Sequence, residues 1–78
     1  MKIGLYKHSK TGMLYQVLGL ALSTTSLEEV VVYQALYGDY GMWTRPKVQF
    51  ESLEDSGIPK FVYVGKSLNK EKSKRILR

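Results

Sequence analysis

Cysteine is absent from this chain of 78 residues, histidine occurs once, proline twice, and the longest apolar run reaches only from Val17 to Leu22. Each shortage removes a class of protein. Without cysteine there is no disulfide to staple the fold, no thiolate to hold zinc or iron, and no thiol nucleophile. With His8 as the one imidazole, a two-histidine metal site and a metalloprotease helix are excluded. A membrane-spanning helix needs about 20 apolar residues. The segment Met1 to His8 carries Lys2 and Lys7 and has no apolar core of the kind a secretory signal requires. The expectation is a cytoplasmic protein that does not enter a membrane. The carboxylates Glu28, Glu29, Asp39, Glu51, Glu54 and Asp55 are scattered without the spacing of metal ligands, and no glycine-rich phosphate cradle is present. No metal and no cofactor are expected.

What the chain does have is apolar residues at 44%, with six tyrosines against two phenylalanines. At this length a chain buries only about 60% of its unfolded surface, so one core and one domain are expected. The formal charge of +5 is unevenly placed. Residues 1–65 balance Lys2, Lys7, Lys10, Arg45, Lys47 and Lys60 against the six carboxylates named above. Residues 66–78 hold Lys66, Lys70, Lys72, Lys74, Arg75 and Arg78 against Glu71 alone. The whole excess belongs to the tail, which has Leu68, Ile76 and Leu77 at poor helical spacing and reads as a disordered or weakly helical end.

Turn residues cut residues 1–65 into lengths suited to strands. Ile3 to His8 reads as a strand, closed by the hairpin-like Ser9-Lys10-Thr11-Gly12. Met13 to Leu22 alternates with period two, placing Tyr15, Val17, Gly19 and Ala21 on one face and Leu14, Leu18, Leu20 and Leu22 on the other, with Gly19 as a bend or bulge point. Leu27 to Tyr37 begins like a capping box, Ser26-Leu27-Glu28-Glu29. The run Val30-Val31-Val32-Tyr33 argues for strand instead. Gly38-Asp39-Tyr40-Gly41 reads as a tight connection and Met42 to Arg45 as its return strand, ended by Pro46. Lys47 to Phe50 fits one helical turn that drops Val48 or Phe50 into the barrel mouth, and Lys60 to Val64 fits a last strand. The fold class expected is all-β, a five-stranded SH3-like barrel over residues 1–65 followed by the basic tail at 66–78.

The segments Gly4-Leu5-Tyr6-Lys7-His8, Gly12 to Gly19, Glu29 to Gly38 and Trp43-Thr44-Arg45-Pro46 through Phe50 closely resemble the bacterial domain of unknown function 1653 family in order and spacing, over roughly residues 4–64. The resemblance implies an SH3-like barrel and no established activity. Relatives often carry a histidine in the loop where Ser23 and Thr24 stand here.

Aromatic residues are the most informative candidates. Tyr15, Tyr33 and Trp43 read first as core or cross-strand pairs, and Tyr37, Tyr40 and Arg45 as exposed. Tyr37, Tyr40, Trp43 and Arg45, with His8 and Tyr6, form the candidate binding face for a protein partner or a nucleic acid. Arg45 is placed to clamp an anion or to pair with Glu28, Glu29 or Asp39. Lys70, Lys72, Lys74, Arg75 and Arg78 are the candidate phosphate contacts of the tail. The functional expectation is a non-catalytic binding module, monomeric or weakly dimeric. The alternative is a small-molecule-binding regulatory domain or an enzyme using His8 and Arg45, which requires those two side chains to converge.

Overall fold

Alternating β-branched and aromatic residues give five strands: β1 (Gly4–His8), β2 (Leu14–Leu22), β3 (Glu29–Ala35), β4 (Met42–Pro46) and β5 (Phe61–Gly65). A single helical turn, α1 (Lys47–Phe50), separates β4 from β5. The structure, a computed structural model, describes residues 1–66. The tail expected at 66–78 lies beyond them except for Lys66, and so do Lys70, Lys72, Lys74, Arg75 and Arg78.

All neighbouring strands are antiparallel, in the order β4-β3-β2-β1-β5. The expected closure into a barrel is not found. Among the described residues no ladder joins β4 to β5, which remain the two edges of one sheet. The gap between these edges is filled by side chains instead. Pro46, extended at φ −52° and ψ 137°, turns the chain out of β4 into α1, which inserts Phe50. Phe50 is 1% exposed and stacks on Phe61 of β5, with ring centroids 4.1 Å apart and planes 7° from parallel. Val48 on the same turn faces outward, 76% exposed.

Val31, Tyr33 and Ala35 of β3 are buried while Val30, Val32 and Gln34 between them are not, the period of two that marks a sheet with one covered face. The core comprises Tyr6, Val17, Val31, Tyr33, Phe50 and Phe61, with Tyr15 and Tyr63 packed against it. Aromatic rings in this set meet edge to face, Tyr6 with Phe50 and with Tyr63, and Tyr33 with Phe50, the arrangement that ring quadrupoles favour.

Strand β2 departs from the expected alternation. Its register against β3 shifts between Val17 and Gly19, leaving Leu18 as an extra residue, which is a β-bulge. Before the bulge, Tyr15 and Val17 lie opposite the buried Ala35 and Tyr33, as expected. After it, Leu20 lies opposite buried Val31 and Ala21 opposite Val30. The two faces expected for Gly19 to Leu22 are therefore exchanged, because one unpaired residue advances the pleat by half a period.

Candidate functional site

In an antiparallel ladder, residues directly opposite one another project to the same face. Trp43 lies opposite Tyr33 and Arg45 opposite Val31, so both share the core-facing side of the sheet at its β4 edge. Trp43, expected in the core, is instead 60% exposed, because β4 has no strand on its outer side to cover the indole. On the other edge, His8 lies opposite Phe61, and the two rings meet edge to face with centroids 4.8 Å apart.

Arg45 joins the two edges. Its guanidinium sits over the Phe61 ring, 5.4 Å from the centroid, a cation–π contact that crosses the gap where a barrel ladder would run. None of the carboxylates considered as its partners takes it. The ion pair among the described residues is Lys47 with Glu29, at 3.6 Å. His8 and Arg45 therefore converge on one ring.

Beside them stands a pair of phenols. Tyr15 and Tyr37 share a hydrogen bond of 2.6 Å between hydroxyls, and their rings meet edge to face. Tyr15 also contacts Tyr33 and Phe61 edge to face. Burial pushes the Tyr15 phenol up to about 12, with the Tyr37 hydrogen bond second and the phenols of Tyr37 and Tyr33 adding to it, while the charge of Arg45 pulls the other way. That opposing influence places the guanidinium within electrostatic reach of the Tyr15 phenol.

The loop carrying Tyr37 is fixed by its backbone. Gly38 and Tyr40 both adopt positive φ, 59° and 56°. The Tyr40 N–H donates to the Tyr37 carbonyl at 3.0 Å, and Gln34 Nε2 donates to the Tyr40 carbonyl at 3.0 Å. Tyr40 itself is exposed. Tyr6 is buried at 6% and donates its hydroxyl to the Lys2 carbonyl at 2.6 Å, so it belongs to the core rather than to an accessible face. Burial also raises its phenol pKa, foremost among the causes.

His8 shows which of its nitrogens is free. Its Nδ1 accepts from the backbone N–H groups of Lys10 at 3.2 Å and Thr11 at 3.4 Å. An accepting Nδ1 puts the proton of the neutral ring on Nε2. In the sequence Tyr15 reads first as a core or cross-strand residue, and Phe61 has no role beyond its strand. The signal for Phe61 was its place in Phe61-Val62-Tyr63-Val64, whose alternation marks the aromatic residues as one face.

Surface clefts among the described residues lie elsewhere, such as one of about 310 Å³ bordered by Ser9, Lys10, Glu54 and Ile58 and another of about 300 Å³ between Glu28, Glu29, Lys47 and Val48. Among the described residues no group of three or more His, Asp or Glu is placed to hold a metal ion, and no helix is long and apolar enough to cross a membrane.

The family model described as a protein of unknown function, DUF1653, matches residues 4–63. The chain belongs to the DUF1653 family. The crystal structure of a DUF1653 protein from Bordetella bronchiseptica is similar to it at a TM-score of 0.76 and 39% identity, covering 85% of this chain and 90% of that one. Among curated proteins nothing matches. The DUF1653 match spans every residue of the Phe61 cluster, His8, Tyr15, Tyr37, Trp43 and Arg45 included.

Proposed function

We propose that this DUF1653 chain is a non-catalytic binding module of the cytoplasm, an SH3-like barrel left open between its edge strands, that recognises an extended segment of a protein partner. The strand order β4-β3-β2-β1-β5 with a helical turn between β4 and β5 supports the architecture. The observation that carries the functional reading is the aromatic face beside the open gap. Exposed Trp43 and Arg45 share the core-facing side of β4, Arg45 reaches Phe61, and exposed Tyr37 joins the same aromatic cluster through Tyr15, which contacts Phe61. Aromatic-lined faces of this kind dock extended peptides at low entropic cost. The cationic residues of 66–78 add long-range attraction for an acidic partner, an attraction that weakens with salt.

A module of this kind is expected to show peptide-induced amide shifts by NMR at Tyr37, Tyr40, Trp43 and Arg45 and at the Trp43 indole, when titrated with a pool of short peptides. Trp43→Ala is expected to abolish them. Shifts produced only by mixed-sequence single-stranded RNA or DNA would move the partner class to nucleic acid, and silence of this face with every probe ends the reading. The convergence of His8 and Arg45 on Phe61 favours one second reading, a regulatory domain that binds a small molecule at the same place. It predicts that a metabolite mixture, and no peptide, shifts these residues.

A further inference from the structure

Three kinds of hydrogen-bond donor surround the Phe61 ring, and no carboxylate of the described residues pairs with the cation among them. A guanidinium held beside an aromatic ring by cation–π attraction keeps its N–H donors for a planar two-oxygen partner. The Arg45 guanidinium carbon lies 5.4 Å from the Phe61 centroid, and the ion pair among the described residues belongs to Lys47 and Glu29 instead. In a hydrogen bond between two hydroxyls one hydrogen is consumed and the other is left to donate outward. The Tyr15–Tyr37 pair therefore offers one phenol O–H. His8, with Nδ1 accepting from Lys10 and Thr11, offers Nε2–H. A site built of donors around one cation selects an anion.

We propose that the Arg45 edge, flanked by the Tyr15–Tyr37 hydroxyls and His8, seats a carboxylate carried next to a flat apolar group, an acidic side chain or terminal carboxylate of the bound segment. The carboxylate lies in the guanidinium plane and the neighbouring group lies against exposed Trp43. The proposal rests on the binding-module reading and adds its ligand chemistry. Burial, the leading cause that holds the Tyr15 phenol well above its usual range, keeps that hydroxyl protonated throughout the neutral and mildly alkaline range.

The test uses benzoate and benzamide, a matched pair differing in the charge of the planar group, titrated into the full chain and followed by NMR at the Arg45 side-chain N–H, the His8 ring and the Trp43 indole. Benzoate is expected to bind at least about tenfold more tightly than benzamide, as charge-assisted pairing to arginine requires. Arg45→Gln is expected to remove that difference, since glutamine has neither the charge nor the five-donor fork of arginine. Tyr37→Phe, at an exposed position, is expected to weaken benzoate severalfold and benzamide little. Equal binding of the two probes, or a benzoate preference that survives in both variants, overturns the carboxylate seat and leaves the aromatic module standing. Displacement of benzoate by an equal concentration of inorganic phosphate overturns it in favour of a phosphate site. Peptides that shift Trp43 in a chain indifferent to benzoate place the failure in the ligand chemistry, whereas indifference of Trp43 to peptides and to both probes removes the module itself.

Discussion

At the scale of single residues, the cluster on Phe61 is a set of opposed influences on one phenol. Burial and the Tyr37 hydrogen bond raise the Tyr15 pKa to about 12, and Arg45 lowers it. Removing Arg45 as Arg45→Gln is therefore expected to raise the Tyr15 midpoint further, and Tyr37→Phe to lower it, both read from tyrosinate absorbance in an alkaline titration. The consequence for stability follows from linkage. An unfolded tyrosine titrates near 10 and folded Tyr15 near 12. The contribution of Tyr15 is therefore complete below pH 10 and is lost as pH rises through 12. Tyr15→Phe is expected to flatten the fall of the thermal midpoint over that window, measured by circular dichroism at a series of pH values.

At the scale of elements, the β2–β3 hairpin contains a local strain that a substitution can release. Leu27 closes its turn with φ 61°, its N–H donating to the Ser23 carbonyl at 2.8 Å, and its side chain is 75% exposed. A left-handed conformation costs a non-glycine residue about 1–2 kcal/mol, and glycine returns about 0.5–1 kcal/mol of that through the flexibility it gives the unfolded chain. Leu27→Gly is expected to stabilise the domain by about 0.5–1 kcal/mol, visible as a higher urea midpoint at unchanged slope. The strands themselves were legible in the sequence, because Val31, Tyr33 and Ala35 alternate with Val30, Val32 and Gln34 and because Pro46 punctuates the chain before a short helical turn. The bulge was legible to within a residue, since Gly19 reads as a bend or bulge point and the register shifts between Val17 and Gly19. The exchange of faces beyond it was not, because only the pairing with β3 shows that Leu18 is the extra residue. The setting of Arg45 escaped for a related reason. Its neighbours in sequence offered carboxylates, while the ring it rests on comes from the far edge of the sheet.

At the scale of the whole molecule, stability is concentrated in the plug between the two sheet edges. Phe50 contacts Tyr6, Tyr33 and Phe61 at once, so it binds α1 to three strands that do not all pair with one another. Phe50→Ala is expected to cost about 3–5 kcal/mol, a large share of the stability of a domain this small. Val48→Ala on the same turn is expected to cost under about 0.5 kcal/mol, because an exposed site away from such features changes little. Paired urea denaturation curves of the two variants decide the point. The bulge in β2 bears on heredity as much as on shape. An in-frame loss of the single codon for Leu18 would remove the unpaired residue and leave Gly19 to Leu22 opposite the same residues of β3, so a deletion that elsewhere in a strand turns later side chains inside out is silent in register at this one place.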